Sequence, residues 1–251
     1  MAEEGQNSTA ETDKPFQKAG PDDYGYYFYP QRNEEQSQKT SYLSKFFSYN
    51  NARRHIKCEM NVVWCVKNNP FVRLLMGAMK NSGCPITLNR HVSCENCKGR
   101  VNGGYDPETN QVVVCQNTAV KSSTCCSVLA HEFIHAFDAC RAKIDFDNLE
   151  HLACTEIRAA NLVHCSMSTA IFEGDAGFNN IKEAQKECVK RKAILSIIMV
   201  RQVTAEKARK VVDKVFDRCW NDLEPIGRRC RRKSKDPEMA YHEGYLYGYT
   251  D

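Results

Sequence analysis

The stretch His131-Glu132-Phe133-Ile134-His135 restricts the folding of this chain more than any other. Two histidines four positions apart share a face on a helix, where 3.6 residues complete a turn. A helical wheel over the flanking residues agrees with that geometry. Leu129, Phe133, Ala136, Phe137 and Cys140 gather on one side, while His131, His135 and Asp138 gather on the other. The spacing therefore predicts an amphipathic helix over about 123–142, with one stripe buried and two imidazoles aimed at a common point.

Two imidazoles so placed suit a zinc ion, and Glu132 beside them suits a base that takes a proton from water, whose pKa a zinc site lowers to about 7. Asp138 lies where it can partner a ligating imidazole, a support that such histidines commonly need. A catalytic zinc takes three protein ligands and keeps a fourth position open, so a third ligand is expected downstream. Glu156 falls with Leu152, Ala159 and Val163 on an otherwise apolar stripe of a helix expected over 148–164. A carboxylate there is costly unless paired, and a metal would remove the cost. His151 is the alternative third ligand, but it points about 140° away on the same wheel, so one rigid helix does not present both. Arg158 reads as a structural ion-pair partner in preference to a stabiliser of developing negative charge.

Around this motif the periodicity changes in order. A helical stretch over about 53–80 is interrupted at Asn69-Pro70. Val101–Tyr105 and Gln111–Gln116 flank the polar turn 106–110 and read as a hairpin. A further helical stretch over 181–220 breaks near Gln202-Val203-Thr204, with Thr204 as the cap of its second part. Residues 1–40, with Tyr24, Tyr26, Tyr27 and Tyr29, are polar and read as a disordered arm. A domain is expected over 41–224. Residues 225–251 read as a basic and polar tail carrying Arg228, Arg229, Arg231, Arg232, Lys233 and Lys235.

A formal charge of +4 gives no basic excess of the kind a nucleic-acid surface needs, and no nucleic acid is expected as a partner. The longest apolar run, Ala193–Val200, is far short of the roughly 20 residues of a membrane span. Fourteen cysteines argue for an oxidising compartment, yet the first forty residues show neither a secretory pattern nor an arginine-rich matrix-targeting one. The mitochondrial intermembrane space satisfies both conditions. Cys94 and Cys97 have zinc-ligand spacing, which Cys84 and Cys115 would complete, and disulfides are the competing reading. Cys125-Cys126 reads as a pair of free thiols. A cysteine-rich zinc-binding module of the nucleus is a further alternative function.

The run Val128 to Asp138, then Cys140-Arg141-Ala142, His151-Leu152-Ala153-Cys154 and Glu156 to Asn161, resembles one protease family. That family comprises the mitochondrial inner-membrane metalloproteases that process and help assemble a subunit of the ATP synthase Fo sector. Ser82-Gly83-Cys84, Cys94 to Cys97, Gly103 to Asp106 and Val114 to Asn117 extend the resemblance over about 50–220. It implies a zinc endopeptidase of α+β, zincin-like fold: a small antiparallel sheet, an active-site helix and further C-terminal helices. It assigns zinc ligation to His131 and His135 and catalysis to Glu132. It also implies a peripheral place on the inner membrane, an Fo subunit precursor as substrate, and an assembly-chaperone role, which could outweigh proteolysis. Cys58, Cys84, Cys94, Cys97, Cys115, Cys140, Cys154, Cys165, Cys188 and Cys219 match the family's structural disulfide positions, while Cys65, Cys125, Cys126 and Cys230 are additional.

Overall fold

A computed structural model describes residues 42–99, 101–165, 181–231 and 234–249. The arm expected over 1–40 lies outside the described residues, as do Arg232 and Lys233 of the basic run.

Helices α1 (Tyr42–Asn68) and α2 (Pro70–Asn81) meet at the expected break. Asn69 caps α2 by accepting from the Val72 backbone N–H at 3.1 Å, and Pro70 sits in the first turn, where its missing N–H costs nothing. After the short α3 (Leu88–His91) come β1 (Val92–Glu95), β2 (Gly103–Asp106) and β3 (Gln111–Cys115). Then follow α4 (Ser122–Arg141), α5 (Leu149–Ala159) running into a π-helical turn (Ala160–His164), α6 (Ile181–Arg201), α7 (Ala205–Asn221) and α8 (Asp236–Gly244). Thr204 caps α7 as expected, its hydroxyl accepting from the Lys207 N–H at 3.3 Å.

The α+β class holds, but the sheet is mixed, not antiparallel. Its order is β1-β3-β2. The expected hairpin pairs β2 with β3, and β1 adds on the other side, parallel to β3. The β-branched run Val112-Val113-Val114 makes β3 the central strand, with Val112 and Val114 buried. Parallel pairing needs a long crossover, which residues 96–110 supply. Four residues, Val92-Ser93-Cys94-Glu95, are too few for an alternation to announce β1. Gly103 lets β2 lie close to α4: a Cβ there would meet the Val113 carbonyl oxygen at 2.6 Å and press on Val128.

Two cores result. Cys58 and Val62 of α1, Leu75 and Met79 of α2, Val112 and Val114 of β3, and Leu129 and Phe133 of α4 share the first. Leu152 and Ile157 of α5, Val189 and Ile197 of α6, and Val212 and Trp220 of α7 share the second. Each such side chain contributes roughly 1.5–3 kcal/mol on burial. Helices α4 and α5 pack together along the seam between the cores.

The described residues 225–231 and 234–249 depart from the expected solvated tail. Helix α8 packs on α2 and buries Ala240 and Tyr241, and Ile226 joins the first core. Much of the basic run is engaged: Arg228 pairs with Glu243, Arg231 with Asp236, and Arg229 lies 4.4 Å over the Trp220 ring.

The four-sulfur metal site is also corrected, because its members are all oxidised: Cys97 bonds Cys115, Cys94 bonds Cys58 and Cys84 bonds Cys140. Cys154–Cys219 and Cys165–Cys188 follow in the second core, so all ten positions singled out by the resemblance pair among themselves. Cys126 is not a free thiol but bonds Cys65, stapling α1 to α4, while Cys125 and Cys230 are free and buried. Burial pushes both free thiols up to about 12, which leaves them inert.

Candidate active site

Two turns of α4 carry His131 and His135 side by side, with their Nε2 atoms 3.2 Å apart. The opposite face of that helix packs Leu129 and Phe133 into the first core, which fixes the rotation of the helix and so the direction of the imidazoles. Across the seam, α5 presents Glu156. Its Oε2 lies 3.7 Å from His131 Nε2 and its Oε1 lies 3.7 Å from His135 Nε2. The donor atoms of His131, His135 and Glu156 all fall within 4.8 Å of one another, a set that can hold one metal ion. His151, the alternative, is not brought to this point. Its Nδ1 instead accepts from the Asp145 backbone N–H at 3.1 Å, at the start of α5.

Glu132 is buried beside this cluster. Burial, reinforced by the Glu156 charge, pushes its carboxyl well above the usual carboxylate range, against a hydrogen bond from the Tyr105 backbone N–H that favours the anion. Burial also holds the His131 imidazole well below its ordinary value, and the His135, His164 and Lys192 charges act in the same direction. His164 is lowered to about 4, first by burial and then by Lys192 and His135.

Asp138 does not touch an imidazole directly but is linked to His135 through an intermediary. The Thr155 hydroxyl stands between, 2.9 Å from His135 Nδ1 and donating to Asp138 Oδ2 at 2.8 Å. Because that hydroxyl spends its proton on the carboxylate, it accepts from His135 Nδ1–H, leaving the Nε2 lone pair for a metal. Arg158, 1% exposed, donates from Nε to both Asp138 oxygens at 3.0 and 2.9 Å. Its Nη atoms donate to the Asp222 and Glu224 carbonyls at 2.8 and 2.6 Å, so it is a structural ion-pair partner spent on the fold. Sequence reasoning missed Thr155 and His164. A small hydroxyl one position before Glu156 was the available signal for Thr155. For His164 there was none, since its position depends on the π turn.

The Peptidase M76 family profile matches residues 56–227. The mitochondrial inner membrane protease ATP23 homolog of Xenopus laevis is 42% identical over 90% of this chain and 94% of its own length. The Homo sapiens protein of the same description is 44% identical over 80% of this chain and 79% of its own. The mitochondrial inner membrane protease ATP23 of Yarrowia lipolytica is 35% identical over 68% of each. No solved structure matches the chain.

Proposed function

Because the chain belongs to the peptidase M76 family, we propose that it is a zinc-dependent metalloendopeptidase that processes a mitochondrial precursor polypeptide and assists assembly of the ATP synthase Fo sector. The observation that carries this reading is the convergence of His131 and His135 of α4 and Glu156 of α5 within 4.8 Å, with Glu132 on the same helix as the two histidines. Two imidazoles and one carboxylate suit zinc and leave a fourth position open. A zinc ion held there would supply the Lewis acidity that polarises a scissile carbonyl and acidifies a water.

The remaining work falls to the chain's own residues. Glu132 takes a proton from the attacking water and returns it to the leaving amine nitrogen. The Tyr105 backbone N–H of β2 steadies that carboxylate. Since β2 is an edge strand of the sheet, an extended substrate can add alongside it, within reach of Glu132. We read the arrangement as zincin-like, with the peptidase unit over 41–224 and α8 packed upon it.

Six disulfides favour an oxidising compartment, and the relatives are named for the mitochondrial inner membrane, so we place the chain in the intermembrane space. Among the described residues no helix is long and apolar enough to cross a bilayer. A peripheral contact is supported by the outer face of α1, where Tyr49, Ile56, Met60, Val63 and Trp64 stand 42–68% exposed. Arg53, Arg54, Lys57 and Lys67 border them against a single acid, Glu59, which is the composition of an interfacial helix facing anionic lipid.

The test is Glu132→Gln on the purified chain. It should retain one zinc while polypeptide cleavage falls by about 10²–10⁴-fold, the usual contribution of a general base. Cleavage at the wild-type rate would remove Glu132 from the mechanism. Restoration of Fo assembly by the same variant would separate the assembly role from proteolysis.

A further inference from the structure

Two ring nitrogens of the histidine pair face the Glu156 carboxylate, and the other two face away from it. His135 satisfies its outward nitrogen through Thr155 and Asp138. His131 does so through a residue that nothing else in the site explains: His164 Nε2 lies 3.0 Å from His131 Nδ1, with the ring centroids 4.9 Å apart. We propose that His164 is a positioning residue that fixes the tautomer and ring angle of His131 for metal binding.

The argument is one of protons. An imidazole that binds a metal through Nε2 carries its hydrogen on Nδ1, and a buried N–H left without an acceptor is costly. His164 Nε2 is the acceptor in reach. With that hydrogen bond made, the His131 Nε2 lone pair points toward Glu156 and His135, and the ring is held against rotation. His164 itself meets the nitrogen turned away from the cluster, so it stands behind His131 and not among the ligands.

The backbone is built to deliver this contact. Helix α5 gives way to the π turn Ala160–His164, whose wider spacing changes the direction in which the following side chains point. Immediately after His164 the chain is fastened: Cys165 is bonded to Cys188 of α6, and its carbonyl accepts from Gln185 Nε2 at 2.8 Å. A disulfide one residue away thus holds His164 in place.

This inference rests on the metallopeptidase reading, and the experiment keeps the two apart. Zinc affinity is measured on the full chain by competition with a chromogenic chelator, alongside the melting temperature of the zinc-free protein and zinc X-ray absorption of the loaded protein. His164→Ala should weaken zinc about 10–100-fold, the usual effect of losing such a support, without changing zinc-free melting or the number of bound imidazoles. His164→Gln, whose side-chain oxygen can accept from His131 Nδ1–H, should recover most of the affinity. Unchanged affinity in His164→Ala overturns the positioning role, as does failure of Gln to recover any of it. Loss of one imidazole from the absorption spectrum of His164→Ala also overturns it, by making His164 a direct ligand. A wild-type chain that binds no zinc, or binds it equally after His135→Ala, overturns the metallopeptidase reading itself.

Discussion

Asp138 accepts from Thr155, from Arg158 and from Arg141, so one carboxylate touches both the proposed metal site and the packing between helices. The two duties separate experimentally at Thr155. Thr155→Val keeps the volume of the side chain and leaves Asp138 its two arginines, but it removes the atom that joins Asp138 to His135. Zinc affinity should fall by roughly 10–100-fold with little change in the urea midpoint of the zinc-free protein, and Thr155→Ser should restore it. An unaffected zinc affinity would show that the hydroxyl does not orient His135. Glu156 was legible in the sequence because a carboxylate on an apolar stripe demands a partner. Thr155 was not, because a buried hydroxyl has many ways to be satisfied and only the position of α4 decides which one is used.

At the scale of elements, α1 turns two unlike faces outward and inward. Cys58, Val62 and Cys65 lie in the first core, and the opposite side is the exposed stripe around Met60 and Trp64. Among the described residues that stripe leaves more than half of Met60 and of Trp64 open to solvent. The double variant Met60→Glu and Trp64→Glu should therefore abolish sedimentation with vesicles of phosphatidylcholine and phosphatidylglycerol while leaving cleavage of a soluble polypeptide unchanged. Vesicle binding by the double variant would move the membrane contact to another surface. The helices α1, α2, α4 and α7 and the β2–β3 hairpin were readable from period, caps and turn residues. Strand β1 was not, because its four residues have meaning only beside β3. Helix α8 was obscured by the arginines before it, whose partners Glu243, Asp236 and Trp220 are visible only once the chain has folded back.

On the whole molecule, Cys58–Cys94 and Cys65–Cys126 lie within the first core, Cys154–Cys219 and Cys165–Cys188 belong to the second, Cys97–Cys115 and Cys84–Cys140 lie outside both, and none of the six crosses the seam between α4 and α5. Ionic contacts help to close that seam, and Asp222 is central to them. It pairs with Arg158 of α5, and its Oδ2 lies 2.5 Å from Arg141 Nη2 of α4. Burial raises the Asp222 carboxyl, but the Arg141 hydrogen bond and the Arg158 and Arg141 charges outweigh it and hold the group below its ordinary 3.8. A depressed folded-state value means that the stabilisation is complete above 3.8 and is lost as pH falls through the folded value. Urea midpoints should accordingly drop on acidification below 3.8, and Asp222→Asn should flatten that part of the profile. An identical acid limb in the variant would show that the seam does not depend on this carboxylate. The sequence by itself determined the local facts: helical spacing alone sets His131, His135 and Glu132 beside one another, and composition alone calls for oxidised cysteines. Only the tertiary structure decided the partners, namely which thiols pair, that the Glu156 carboxylate and not the His151 ring lies beside the two imidazoles, and that Thr155 and His164 meet their other nitrogens. The physical reason is reach. Contacts within one helix are fixed by its repeat, whereas contacts between α4 and α5 depend on how two cores pack, and no spacing along the chain records that.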